Sequence, residues 1–523
     1  MKMRKKGFLE IRNNGLIMNT FMDSIKRMTN YTDTENGALA HKSTLNKVYD
    51  MFALGGAYRA RTDEDCILLF KNAYEESPTL ALKCLFYLRD IRGGQGERRF
   101  FRVCLHWLAN NYPTAAARNI ENIAEYGRYD DLYALEGTLV EKDMFKFMYN
   151  QVQKDLESMR NSEKTGISLL GKWLKSENAA SKETKRLGNK TREAFGLTHK
   201  SYRELLTALR KRINIVEALM SANRWDEIEF DKIPSRAGII YRNAFAEKDI
   251  TAARYKAFIE SKETKMHTAA LYPYDLVREV TKNYKYDWGT GKYNLNLTDT
   301  DRKALDKAWS QLKDYMGGSE EKLMGVIDTS GSMDNGASTK PIDVAISLGM
   351  YAAERLSGPF KNNFITFSSR PQLVEIEGID FADKVKRIRD KSIVENTNLE
   401  AVFELLYGIA TTPGVNVDDL PTKLVVISDM EIDAGSYWRS SFVRQTEMER
   451  IRNKWKVAGL RLPDLVYWNV CARNNIILDN PDEEGVSFVS GCSPVIFESI
   501  LAGKSGWDLC YDKLMSERYE QVK

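Results

Sequence analysis

The segment LMGVIDTSGSMDNG, residues 323–336, places one acid and two hydroxyls directly after an apolar run. Asp328, Ser330 and Ser332 alternate with small residues, a composition typical of the turn that follows a buried strand. Three kinds of chemistry use such a set. It can supply a covalent nucleophile, oxygen ligands for a metal ion, or a polar turn between a strand and a helix.

A nucleophilic role is disfavoured by the surrounding sequence. A phosphoaspartate enzyme usually carries a second acid two residues after the nucleophile, and here that position is Ser330. A serine-hydrolase turn needs G-x-S-x-G, and DTSGS lacks the first glycine. All four histidines precede residue 268, so none lies near these serines in sequence. Because no general base is positioned here, we expect a binding protein and no enzymatic activity.

Oxygen ligands for a divalent cation suit the segment better. Carboxylate and hydroxyl oxygens are what Mg²⁺, Mn²⁺ or Ca²⁺ takes in proteins. Two further oxygen donors stand at comparable places: Thr397 precedes a predicted helix, and Asp429 directly follows the apolar run KLVVIS. Taken singly, Thr397 is better explained as a helix N-cap and Asp429 as a turn residue.

The chain after residue 320 alternates short apolar runs with amphipathic stretches. The predicted strands are 323–328, 362–367, 423–428, 464–470 and 486–491, with 371–376 as a possible antiparallel edge strand. Apolar strands that alternate with helices indicate a doubly wound α/β domain, a parallel sheet with helices on both faces. Ligands of such sheets bind at the carboxyl ends of the strands, where Asp328 and Asp429 fall.

The chain before residue 320 has a different pattern. Stretches such as TDEDCILLFKNAYEES repeat apolar residues every three or four positions, and turns are expected at Pro78, Pro113 and Gly127. This predicts many short helices, as in an α-helical repeat array or bundle, with no strand of useful length. We therefore expect three parts: an N-terminal extension 1–41, a helical domain 42–320 and an α/β domain 321–523.

The candidate oxygen donors resemble a known metal site. In order they are Asp328, Ser330, Ser332, Thr397 and Asp429. This series is similar to the metal-ion-dependent adhesion site (MIDAS) of von Willebrand factor A (vWA) domains, over about 321–505. The resemblance implies that the three hydroxyls contact Mg²⁺ and that the two carboxylates act partly through water. It also implies that a carboxylate of an acidic partner protein completes the coordination.

Two segments of the helical half resemble a second family. LRDIRGGQGERRFF (88–101) and NIAEYGRYDDLYAL (122–135) are similar to the Ro autoantigen (TROVE) family and its bacterial, plant and viral relatives. In that family a ring of HEAT-like helical repeats is closed by a C-terminal vWA domain. Structured RNA binds the outer face of the ring, and single-stranded RNA ends enter its hole. The resemblance implies an RNA partner and a role as a ribonucleoprotein scaffold.

The charge distribution is compatible with an RNA partner. Lys and Arg exceed Asp and Glu by 11 before residue 321, whereas the remainder carries a net charge of −7. Ten basic and three acidic residues stand between 182 and 212. From this window we predict phosphate contacts for Lys182, Lys185, Arg186, Lys190, Arg192, Lys200 and Arg203. A solvated helix face is the alternative explanation of this set. A second basic set comprises Arg89, Arg92, Arg98 and Arg99; alternatively, residues 97–101 open the next helix and Arg92 pairs with an acid.

Other features narrow the class of protein. No run reaches the roughly 20 apolar residues of a membrane helix, and no apolar segment follows the basic start. The six cysteines are far apart, which favours a reducing, cytoplasmic setting. GISLLGKW (166–173) has Trp173 where a phosphate-binding loop needs Ser or Thr, and AGKS (502–505) lacks the first glycine. We therefore expect neither a membrane partner nor a nucleotide cofactor.

Two functions remain open on this basis. One is an RNA-binding, Ro-like scaffold for small or misfolded RNA that also carries a divalent-metal site. The other is a metal-dependent adaptor, in which a partner carboxylate completes the metal site and the helices serve only as a platform.

Overall fold

The computed structural model describes residues 20–161, 166–287, 292–334, 339–391, 397–433 and 446–523. The strands are β1 (Tyr31–Asp33), β2 (Leu39–His41), β3 (Tyr284–Asp287), β4 (Lys292–Leu295), β5 (Leu323–Asp328), β6 (Asn363–Phe367), β7 (Leu373–Glu375), β8 (Lys423–Ser428), β9 (Asp464–Asn469) and β10 (Val486–Ser490). No helix in these ranges is both long and apolar enough to cross a membrane.

The α-helices of the described ranges fall into two groups, before and after β5. The first group is α1 (Thr20–Met28), α2 (Lys47–Leu54), α3 (Asp63–Glu76), α4 (Pro78–Arg89), α5 (Arg99–Asn111), α6 (Pro113–Arg118), α7 (Ile120–Tyr126), α8 (Glu141–Arg160), α9 (Leu170–Trp173), α10 (Lys182–Ala194), α11 (His199–Ile213), α12 (Val216–Ser221), α13 (Ser235–Glu247), α14 (Asp249–Glu260), α15 (Pro273–Thr281) and α16 (Asp299–Ser310). The second group is α17 (Pro341–Arg355), α18 (Phe381–Lys391), α19 (Leu399–Ala410), α20 (Glu447–Val457), α21 (Phe497–Leu501) and α22 (Gly506–Leu514).

Helices of the first group begin at local signals in the sequence. Before α3, the hydroxyl of Thr62 accepts a hydrogen bond from the N–H of Asp65 at 3.1 Å, and the Asp65 carboxylate accepts one from the N–H of Thr62 at 3.3 Å. This reciprocal capping satisfies backbone donors that the start of a helix leaves free. Pro78 and Pro113 open α4 and α6, where their fixed φ suits the first turn.

A short hairpin interrupts the predicted series of helices. β3 and β4 pair antiparallel, and the rings of Tyr284 and Tyr293 stack with centroids 4.6 Å apart. The expectation of no strand of useful length before residue 320 did not anticipate this hairpin. Each of these strands has only four residues, too few for an alternation of apolar and polar side chains to be read.

The second half contains a six-stranded sheet in the order β10-β9-β8-β5-β6-β7. Its neighbours pair parallel except β7, which pairs antiparallel with β6 at one edge. The predicted mostly parallel sheet with an antiparallel edge strand is confirmed. From β5 the chain runs to β6 and β7 on one side and then crosses to β8 on the other. The switch point of the sheet therefore lies between β5 and β8.

The two halves of the chain are packed tightly against each other. The phenol oxygen of Tyr49 on α2 accepts a hydrogen bond from the N–H of Phe488 on β10 at 2.9 Å. The N–H of Gly56 donates to the Ser490 hydroxyl, also at 2.9 Å. A Cβ at Gly56 would lie 2.8 Å from the Ser490 carbonyl, so only glycine permits this approach.

The N-terminal hairpin β1–β2 also contacts the α/β half. The backbones of His41 and Ile477 exchange two hydrogen bonds, of 2.8 and 2.9 Å. The hydroxyl of Thr34 donates to the carbonyl of Ile432 at 2.6 Å. The predicted extension thus includes a structural element that lies beside the loop after β8.

Candidate functional site

The two predicted carboxylates lie at the switch point of the sheet. Asp328 is the last residue of β5, and Asp429 directly follows β8. β5 and β8 are adjacent and parallel, with Ile327 opposite Ile427. Both acids therefore emerge at the same edge of the sheet, between its two central strands.

Asp328 is buried and held in place by hydrogen bonds. Its Oδ1 accepts a hydrogen bond from the N–H of Ser330 at 2.9 Å, and its Oδ2 accepts one from the Ser428 hydroxyl at 2.6 Å. Burial and the negative charge of Asp429 raise the pKa of Asp328 well above its ordinary value. A cation placed between the two acids would relieve both effects.

The predicted hydroxyls are divided between two places around these acids. The Oγ atoms of Ser330 and Ser332 are 3.0 Å apart, directly after β5. Thr397 is buried and donates to the carbonyl of Glu431 at 3.3 Å, two residues beyond Asp429. Thr397 is not the cap of α19, because the Asn398 side chain accepts the hydrogen bond from the helix. The alternative of a plain N-cap at Thr397 is wrong.

Asp429 forms a local turn as well as a long-range contact. Its Oδ1 accepts a hydrogen bond from the N–H of Glu431 at 3.2 Å, as the turn interpretation expects. Its Oδ2 lies 3.1 Å from Nη2 of Arg473. Nη1 of Arg473 in turn lies 2.6 Å from Oε2 of Glu35, on the N-terminal hairpin. The sequence pattern did not single out Arg473 or Glu35, which stand 44 and 394 positions from Asp429.

The donor atoms suit a hard cation. Within the described ranges no three of the residues His, Cys, Asp and Glu are grouped to hold a metal. A metal here would depend on Ser and Thr oxygens beside two carboxylates, which is the ligand chemistry of Mg²⁺. Both oxygens of Asp328 are already hydrogen-bonded, so this residue would contribute charge and a contact through water. The oxygen donors present are therefore of the type that the MIDAS resemblance implies for its cation.

A large cavity lies within the helical half. Its volume is about 1540 Å³, and its lining runs from Arg59 to Arg278, with Thr339 beyond them. Early and late helices meet at its rim, where the Tyr272 hydroxyl donates to the carbonyl of Ile91 at 3.3 Å. The segment that follows α4 and the segment that precedes α15 are thus in direct contact.

The lining of this cavity is strongly basic. Eleven of its side chains are Arg or Lys, and five are Glu. Several of the cations have acidic partners; for example, Arg89 lies 2.7 Å from Asp131. Arg98, Lys154 and Lys172 have no acidic partner among the described residues. Positive charge on the cavity surface is therefore only partly neutralised by the protein itself.

The predicted RNA-binding residues of α10 and α11 are mostly occupied by ion pairs. Arg186 pairs with Glu136 and Glu183, Lys190 with Glu136 and Glu141, Arg192 with Glu177 and Glu193, and Lys200 with Glu204. Arg203 donates to the carbonyl of His199, and Lys182 and Lys185 have no acidic partner in the described ranges. This face therefore offers less free positive charge than the residue count indicates.

The similarity of the chain to known sequences extends over both halves. A protein-family model described as a domain of unknown function, DUF2828, matches residues 34–144 and 174–319. A second family model, also described as a domain of unknown function, DUF7788, matches residues 322–520. An uncharacterized protein of Acanthamoeba polyphaga mimivirus is 28% identical over 514 residues, covering 91% of this chain and 85% of the viral protein. The helical and α/β halves therefore occur together in that viral relative.

Proposed function

We propose that this protein binds RNA, as a Ro-like scaffold with a vWA domain, and takes single-stranded RNA into its basic cavity. The observation that carries the proposal is the cavity of about 1540 Å³ with eleven basic and five acidic side chains. Small-molecule sites usually enclose about 300–1,000 Å³, so this cavity has room for a larger ligand. A cleft lined by one sign of charge also concentrates polyanions near it.

Aromatic side chains in the cavity support a single-stranded ligand. The guanidinium of Arg128 lies 4.1 Å from the ring centroid of Trp173, and both residues line the cavity. Bases of single-stranded RNA stack on aromatic rings and on guanidinium planes, whereas paired bases do not expose these faces. The cavity thus offers both phosphate-binding charge and stacking surfaces. We propose the α10–α11 face as a second, weaker surface for structured RNA.

A binding experiment with two matched variants tests the proposal. A fluorescent single-stranded RNA is titrated into the full chain at several salt concentrations. The cavity variant is Lys154→Glu/Lys172→Glu, and the control is Lys182→Glu/Lys185→Glu on α10, which makes the same change in charge. We expect the cavity variant to bind at least about tenfold more weakly and to show a smaller salt dependence.

Each other outcome changes the proposal in a defined way. Loss of binding only in the α10 variant would assign the RNA to the α10–α11 face and overturn the cavity assignment. No binding by the unmodified protein would overturn the RNA-binding function. If the protein does bind RNA, crosslinking and sequencing of the RNA that copurifies with it from cells would identify that RNA.

A second candidate function is a metal-dependent protein adaptor. It is favoured by Asp328 and Asp429, two acids at the switch point that lack full charge compensation. When bound there, a divalent cation supplies positive charge that attracts the carboxylate of an acidic partner. Binding of a partner would require the cation and Asp328, whereas RNA binding in the cavity would be unaffected by Asp328→Asn.

A further inference from the structure

One wall of the cavity holds more positive charge than the adjacent acids balance. We call it the cation cluster: Arg89, Arg98 and Arg128 line the cavity, and Arg102 and Lys175 interact electrostatically with cations of this lining. Two carboxylates, Asp130 and Asp131, lie among these five cations. The cluster therefore carries three positive charges in excess.

Three of the cations already occupy the two carboxylates. Arg89 and Arg102 donate to the two oxygens of Asp131 at 2.8 and 2.7 Å. Arg102 also donates to Asp130 at 2.8 Å. Arg128 donates to both oxygens of Asp130, at 2.9 and 2.7 Å. The two carboxylates are therefore shared by three cations.

Arg98 and Lys175 are the cations left over. Neither has an acidic partner in the described part of the chain. Arg98 is exposed and lines the cavity, immediately before α5 begins. Burial lowers the pKa of Lys175. The charge of Asp130 opposes this shift, and the guanidiniums of Arg102, Arg128 and Arg98 add to it. An anion in the cavity beside Arg98 would compensate charge that the protein leaves unbalanced.

A stacking surface adjoins the same cations. Arg128 carries its guanidinium over Trp173, and Lys172 Nζ lies 5.7 Å from the centroid of that ring. Bases stack on arginine planes as well as on aromatic rings. Charge for a phosphate and a surface for a base are therefore adjacent on one wall.

We propose that the cation cluster recognises a nucleotide unit that bears a terminal phosphate, with the phosphate between Arg98 and Arg128 and the base against the Arg128–Trp173 pair. A terminal phosphate carries a charge of about −1.5 to −2 at neutral pH, and an internal phosphodiester carries only one charge. A concentrated excess of three positive charges favours the more highly charged group. This inference rests on the proposed RNA-binding function when the unit is the end of an RNA strand. A free nucleoside monophosphate presents the same chemistry.

A competition experiment tests this assignment. Three unlabelled RNA octamers of one sequence carry a 5′-phosphate, a 3′-phosphate or hydroxyls at both ends. Each competes with an internally labelled octamer for the full chain, and adenosine monophosphate is a fourth competitor. We expect one phosphorylated octamer to compete about tenfold better than the hydroxyl form.

Variants separate the phosphate contact from general electrostatics. Arg98→Gln should reduce the advantage of the phosphorylated octamer to less than about twofold, and Arg98→Lys should restore part of it. Lys154→Gln removes another unpaired cavity cation and should weaken all octamers equally. Trp173→Leu should weaken all of them, and Trp173→Phe should restore binding. Circular dichroism melting confirms that each variant is folded.

The outcomes distinguish this inference from the proposed function. Equal competition by the three octamers, with clear binding, would overturn the terminal-phosphate site and leave RNA binding intact. Binding of adenosine monophosphate without binding of any octamer would support the phosphate site and overturn the RNA function. An unchanged phosphate advantage in Arg98→Gln would overturn the role of Arg98. No binding of any competitor would overturn both.

Discussion

The guanidinium of Arg473 lies 3.1 Å from the carboxylate of Asp429, so one of the two acids at the switch point already has a cationic partner. The same guanidinium reaches Glu35 at 2.6 Å, and its Nε is buried without a partner within the described ranges. A divalent cation bound at Asp429 and the guanidinium of Arg473 repel each other. Glu35 offers the guanidinium an alternative acceptor on the N-terminal hairpin.

Replacement of Arg473 by Gln should strengthen divalent-cation binding. The substitution removes a positive charge next to Asp429, and we expect the Kd for Mn²⁺ to fall by about 3- to 10-fold. Calorimetry or electron paramagnetic resonance of free Mn²⁺ measures the change. Arg461→Gln is the control, because it removes the same charge from a side chain that is 88% exposed. Weaker Mn²⁺ binding in Arg473→Gln would contradict the repulsion.

Replacement of Asp328 by Asn should stabilise the metal-free protein and abolish its stabilisation by Mg²⁺. Without metal, the substitution removes a buried charge that Asp429 opposes, so the free energy of unfolding in EDTA should rise by about 1 to 2 kcal/mol. The increase in Tm that Mg²⁺ causes in the unmodified protein should disappear. Thermal melts with EDTA and with Mg²⁺ test both effects. An equal Mg²⁺-induced increase in the variant would show that the cation binds elsewhere.

Replacement of Gly56 by Ala should weaken the packing of α2 against β10. The new Cβ would lie 2.8 Å from backbone atoms of Ser490, which cannot rotate away. We expect the free energy of unfolding to fall by about 1 to 3 kcal/mol, measured by urea denaturation. Gly408→Ala is the matched control, since its Cβ meets nothing within 4 Å on α19. That substitution should raise the free energy of unfolding by about 0.5 to 1 kcal/mol.

Glu447 should make the stability depend on pH. Its carboxylate is buried, and burial together with the charge of Glu400 raises the pKa of Glu447 to about 7. Between its ordinary value of 4.5 and 7, the folded protein binds this proton more tightly than the unfolded chain does. The free energy of unfolding should therefore decrease as pH rises through this interval.

Glu447→Gln should remove that component of the pH dependence. At pH 8 the variant should be more stable than the unmodified protein by about 1 to 3 kcal/mol, because it buries no charge. Urea denaturation at pH 5, 6.5 and 8 gives the comparison. The exposed Glu484→Gln serves as control and should leave the slope unchanged. Parallel pH profiles for Glu447→Gln and the unmodified protein would refute the assignment.

Local sequence signals were sufficient for the α/β half of the fold. β5 and β8 have the predicted bounds, because short, mostly apolar runs form strands that are buried on both faces. Asp328, Ser330 and Ser332 were recognisable together because they are neighbours in the chain. The antiparallel edge strand β7 was also anticipated.

The long-range ion pairs around the candidate sites could not be predicted from the sequence. The sequence by itself determined the strands of the six-stranded sheet, the helical character of the first half and the residue types at the carboxyl ends of β5 and β8, since these depend on neighbours within a few positions. Only the tertiary structure places Arg473 and Glu35 beside Asp429, and Glu136 beside Arg186 and Lys190. Opposite charges that are distant in sequence meet only after the helices pack. For this reason only the structure shows that the basic residues of α10 are largely neutralised, whereas the positive charge of the cavity is not.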